Sequence, residues 1–158
     1  MPAYLDESNL DYHVEDGDLV MLAVDCMKTR RLVDEYAKTL NNILVISMGN
    51  ELTDGDVQIY CRVGGVDITP SIQDGHPEVS TADNPTRSEM SCEQIAAMPS
   101  GGQLIFANLQ AATVGVSSAW KFLTDTDFLK KATAPDYRGA YFDVASLRVR
   151  PITNHISH

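Results

Sequence analysis

Asp25 closes the apolar run from Leu19 to Val24, and Cys26-Met27-Lys28-Thr29-Arg30-Arg31 then open a helix. The carboxyl end of a buried parallel strand is where open α/β sheets place their ligands. A carboxylate there suits Mg²⁺, which takes a few carboxylates together with phosphate oxygens. The same position also suits the N-cap of the helix starting near Met27, a role that needs no ligand. Cys92 follows Ser91, which reads as the N-cap of another helix. A helix N-terminus can lower a thiol pKa and so favour a reactive thiolate; the alternative for Cys92 is a half-buried small side chain. His76 lies in a polar stretch and is expected to face solvent. Cys61 alternates with Ile59 and Val63 and is expected in the core. His13, His155 and His158 show no ligand spacing.

The elements that must position these residues follow from hydrophobic periodicity. Leu19 to Val24 is apolar without alternation, the pattern of a strand buried on both faces. Lys28 to Leu40 follows a helical period, with Leu32, Val33, Tyr36, Ala37 and Leu40 on one side. Ile43 to Met48 reads as a second buried strand, which makes a βαβ unit with a right-handed crossover. Val57 to Val63 alternates as an antiparallel strand does. Gly64-Gly65 then turns the chain so that Val66 to Thr69 returns as a hairpin partner. Ala3 to Leu5 reads as a strand end, and residues 6–12 as a short helix or loop. Pro70 to Met90 lacks apolar periodicity and reads as a long functional or disordered loop. Gln103 to Leu123 is the longest apolar segment. Asn108, Gln110, Ser117, Ser118 and Lys121 interrupt it, so it reads as a buried core helix rather than a membrane span. Tyr141 to Arg150 reads as a terminal strand or hairpin.

The chain has 158 residues, enough for one domain, with 44% apolar and 22% charged residues and a net charge of −10. An acidic field of this size repels phosphate backbones and argues against nucleic-acid partners. The three cysteines, Cys26, Cys61 and Cys92, are widely spaced. They suggest reduced thiols in a cytoplasmic protein rather than a disulfide framework or a structural zinc site. The first residues show no basic segment followed by an apolar one, so no signal peptide is read.

Four segments, in order and spacing, resemble the ThiF/E1-like adenylyltransferases, which activate the C-terminal carboxylate of ubiquitin-like and sulfur-carrier proteins with ATP. The stretch from Asp18 to Asp25 with Thr29-Arg30 looks like that family's strand-Asp-x-x-x-Thr-Arg segment. Ile43 to Met48 ends in Gly49-Asn50, where the family also turns. Thr69-Pro70 with His76-Pro77-Glu78 resembles its crossover loop. Ser91-Cys92-Glu93 followed by Gln103 to Leu109 resembles the approach to its long C-terminal helix. The similarity covers roughly residues 10–150.

The resemblance implies an α/β fold, part of a Rossmann-like, doubly wound domain. It comprises a βαβ unit, an antiparallel hairpin, a long crossover loop and a long buried helix, and spans residues 1–158 as one domain. It implies that Asp25 helps bind Mg-ATP and is needed for adenylation. Arg30 would lie near the nucleotide or buttress Asp25, with a surface helix arginine as the alternative. Cys92 would be the cysteine that some members use to take over the acyl group as a thioester. Where the family commonly has Asn after the aspartate, this chain has Cys26. The family's Gly-rich phosphate loop lies upstream of the aspartate; here Gly17 is the only glycine before Gly49, and the paired CxxC zinc motifs are missing. The expectation is therefore a C-terminal portion of the fold, inactive until a complementary nucleotide-binding half, from another chain or from an upstream region, completes it. The expected partners are a ubiquitin-like or sulfur-carrier protein and a homo-oligomer or that complementary half, with no nucleic acid and no membrane. The alternative is a non-catalytic module that holds a carrier-protein tail.

Overall fold

Ile43-Leu44-Val45-Ile46 is apolar on both faces because helices cover both sides of the strand it forms. The computed structural model describes residues 5–81, 105–124 and 137–153. In chain order the elements are α1 (Leu10–His13), β1 (Leu19–Leu22), α2 (Met27–Ala37), β2 (Ile43–Asn50), β3 (Asp54–Val63), β4 (Val66–Asp67), α3 (Ile72–Gly75), α4 (Glu78–Thr81), α5 (Ile105–Thr124), β5 (Tyr137–Asp143) and β6 (Arg148–Thr153). The strands make one mixed six-stranded sheet in the order β1-β2-β3-β5-β6, with β4 beside β3. Only β1 and β2 run parallel, joined through α2 as the βαβ pattern requires; the other pairs are antiparallel.

The alternation of β2 divides the core. Ile43 and Val45 pack with Val33 and Ala37 of α2 and Tyr60 of β3. Ile46 and Met48 pack on the other side with Ile59, Cys61 and the α5 residues Val114, Ala119 and Phe122. Cys61 is thus a core residue, as its alternation predicts. The hairpin at Gly64-Gly65 forms with both glycines at positive φ, 58° and 78°, a conformation that side-chain-bearing residues resist.

Several expectations need correction. β1 stops at Leu22, so Ala23 to Cys26 form a short connection rather than strand. α2 ends at Ala37, three residues early. The Thr39 hydroxyl donates to Tyr36 O at 2.7 Å, and Asp16 Oδ1 accepts the backbone N–H groups of Asn41 and Asn42 at 2.6 and 2.7 Å, which draws the chain out of the helix. Residues 70–81 are not irregular throughout: α3 and α4 lie there, anchored by buried Ile72 and Val79. A capping box formed by Ser71 and Asp74 starts α3. The long helix α5 is not buried all round. Ala107, Ala111, Val114, Ser118 and Phe122 face the sheet, whereas Phe106, Leu109, Val116, Trp120 and Leu123 are exposed. Among the described residues no helix is long and apolar enough to cross a membrane.

Candidate functional site

The carboxyl ends of β1 and β2, the start of β3 and the N-terminus of α2 meet at one end of the sheet. Asp25 stands there, exposed, just after β1. It does not cap α2. The N-cap residue is Cys26, and no side chain makes a capping hydrogen bond.

Arg30, one turn into α2, points inward. It is buried, so it is not a surface arginine. Its Nη1 donates to Ser47 Oγ at 2.5 Å, and its Nη2 donates to the carbonyls of Val24 at 2.6 Å and Met48 at 2.7 Å. The guanidinium therefore ties the connection after β1 to the end of β2. Burial pulls its pKa down, and the negative field of Asp56, then Asp25 and Cys26, pushes it back up. Gly49 lies between the two: a Cβ there would sit 3.4 Å from Asp56 Oδ1 and 3.5 Å from Arg30 Nη2, in ordinary van der Waals contact with both.

Asp56 continues the chain of charge. His76 Nε2 lies 2.7 Å from Asp56 Oδ2, and His76 Nδ1 lies 2.6 Å from Glu78 Oε1. His76 is therefore not the solvent-facing loop residue that its polar neighbours suggest; α3 carries it back onto the sheet end. Acceptance by Asp56, the larger effect, and by Glu78 outweighs burial and raises the imidazole pKa to about 9. At neutral pH His76 is an imidazolium with both nitrogens donating, so it is not placed to act as a general base.

A pH dependence follows. An unfolded histidine titrates near 6.5, so below that pH the ring is charged in both states and the stabilisation is present in full. As pH rises from 6.5 through about 9 the folded ring must give up its proton, and the contribution is lost. Discounted for the partial exposure of the three side chains, the contribution is about 1–2 kcal/mol. Unfolding titrations of wild type and His76→Gln should differ by this amount at pH 6 and converge by pH 10. A gap that stays constant over the range would contradict the assignment.

Of the residues expected to carry chemistry, Asp25 and Arg30 come together at the strand ends. Cys92 lies outside the described residues. Asp56 and Ser47 were not legible as site residues, although Asp56 alternates with Gln58 and Tyr60 onto one face of β3. Among the described residues no three His, Cys, Asp or Glu side chains gather as a metal cluster. Asp25 would then offer Mg²⁺ one carboxylate, and phosphate oxygens and waters would fill the other positions, which fits that ion's habit. A wider open depression of about 540 Å³ lies at the β5–β6 hairpin, lined in part by Asp54, Asp143, Arg148 and Arg150, and involves none of these site residues. No family model matches the chain, and no curated protein matches it.

Proposed function

We propose that the chain is the C-terminal portion of a ThiF/E1-like adenylyltransferase with a Rossmann-like sheet, acting on the C-terminal carboxylate of a ubiquitin-like or sulfur-carrier protein. One observation carries the reading. Asp25 is an exposed carboxylate just past the carboxyl end of β1 in the parallel pair β1–β2, with Arg30 buried behind it and hydrogen-bonded to the connection after β1 and to the end of β2. In this reading Mg-ATP supplies the α-phosphorus as electrophile, and the net products are an acyl-adenylate and pyrophosphate. Asp25 holds the cation, and Arg30 fixes the backbone that presents Asp25. Cys92 is the acceptor for a later thioester.

The Gly-rich phosphate loop comes from a complementary segment or chain. β1 supports that part of the reading, because among the described residues it pairs only with β2 and its other edge is open to another strand. ATP–pyrophosphate exchange should be silent with this chain alone and appear once the complementary half is supplied. Asp25→Ala should then lower exchange by about 10²-fold or more. Exchange indifferent to that substitution would remove the basis for the assignment.

A further inference from the structure

The side of α5 turned away from the sheet carries Phe106, Leu109, Thr113, Val116, Trp120 and Leu123. Their spacing alternates three and four residues along the whole helix, the 3.5-residue repeat by which one helix packs along another. All six are exposed, the five large apolar ones by 56–67%. Thr113 suits such a seam because its hydroxyl donates to Leu109 O at 2.7 Å and is therefore already partnered within the helix. Lys121 is the one charged residue of α5. With Ile105 beside them, the exposed apolar side chains offer roughly 500 Å², on the order of the apolar share of the ~800 Å² that each partner buries in a standard interface.

We propose that this face joins two copies of the chain, α5 against α5, antiparallel about a two-fold axis. The seam is self-complementary in that direction. About an axis midway between Thr113 and Val116, Phe106 meets Leu123 of the second copy, Leu109 meets Trp120, and Thr113 meets Val116. Each large ring then lies against a leucine, and the smaller pair shares the middle. A parallel pair would set Trp120 on Trp120 and Thr113 on Thr113, overfilling one layer and underfilling the other. Antiparallel helix dipoles also attract. A lipid surface fits less well. Helices that lie on membranes carry Lys and Arg on the polar face, whereas α5 offers one lysine in a chain of net charge −10. The inference does not depend on the adenylyltransferase reading, because it uses neither Asp25, nor a nucleotide, nor the open edge of β1.

Sedimentation velocity of the 158-residue chain tests this. The chain should pass from monomer to dimer with a Kd of roughly 1–100 µM. Added NaCl should tighten the dimer, because it screens the repulsion between two acidic copies without touching an uncharged seam. Val116→Glu and Thr113→Lys each place a charge in the middle of the seam and should weaken association at least about tenfold. Both positions face away from the sheet, so both variants keep the wild-type far-ultraviolet circular dichroism. Mixed together, the two variants should associate at least about tenfold more tightly than either alone, because the antiparallel register sets one new charge opposite the other. A monomer throughout the concentration range would overturn the proposal, as would a dimer indifferent to Val116→Glu, which would place the contact elsewhere. Variants that fail to rescue each other would overturn the antiparallel register. Binding of the chain to phosphatidylcholine vesicles, lost in Val116→Glu and without self-association, would assign the face to lipid instead.

Discussion

Arg30→Met is expected to cost about 3–5 kcal/mol of folding stability, a large fraction of what a domain of this size possesses. The guanidinium donates to Ser47 Oγ and to the carbonyls of Val24 and Met48. Methionine matches the aliphatic stem but leaves those acceptors unserved in a buried place. It also leaves the Asp56 carboxylate without the cation that faces it across Gly49. Each hydrogen bond to a charged group contributes roughly 1.5–3 kcal/mol, and an orphaned buried acceptor adds its desolvation cost. Arg30→Lys restores the charge but not the fork, and should recover about half of the loss. Denaturant unfolding of the three proteins measures this. A loss below about 1 kcal/mol for Arg30→Met would mean that the tie between the strand ends is not structural.

Asp34→Ala should be comparably severe, about 3–4 kcal/mol, for a different reason. Asp34 is fully buried. Its carboxylate accepts the backbone N–H of Ile72 at 2.8 Å and the side-chain amide of Gln73 at 2.9 Å, and lies 3.1 Å from Lys38 Nζ. The residue thus fastens α3 to α2, and α3 delivers His76 to Asp56. Alanine removes the acceptor for a buried N–H and loosens the segment that carries His76. Asp34→Ala should therefore also flatten the stability loss between pH 6.5 and about 9 that wild type shows. Asp34→Asn keeps the shape but turns an amide toward donors and gives up the lysine pair, so it should sit close to alanine. A variant that loses stability but retains the full pH dependence would show that His76 holds its place without α3.

Both residues lie on the same helix, and hydrophobic periodicity alone does not place either of them inward. The apolar side chains of α2 suggest a face made of Leu32, Val33, Tyr36, Ala37 and Leu40. The face that is buried is Arg30, Val33, Asp34 and Ala37, spaced three, four and seven residues apart as a helix requires. Two of its four members are an arginine and an aspartate. Leu32, Tyr36 and Leu40 are only partly buried and pack at the margin. Burying a charge is unfavourable unless partners meet it, and Ser47 and Met48 for Arg30, and Ile72 and Gln73 for Asp34, lie 17 to 39 residues away.

The α5 helix shows the opposite limit. Its apolar composition predicts a helix, and a helix forms. Composition does not say that one face would stay exposed, because that depends on the sheet surface available to cover it.

What the sequence determined by itself is local. Unbroken apolar runs made β1 and β2, alternation made β3 with Cys61 inward, and a glycine pair made the β3–β4 turn. The strand–helix–strand order made the parallel pair at whose end Asp25 stands. These features rest on side-chain periods of two and 3.6 and on backbone preferences, which neighbouring residues supply. Tertiary structure alone decided that Arg30 points inward and that Asp56, His76 and Glu78 form a continuous line of alternating charge. Each of those outcomes balances desolvation of a charged or polar group against partners distant in sequence. That balance exists only once the sheet has brought the strand ends together.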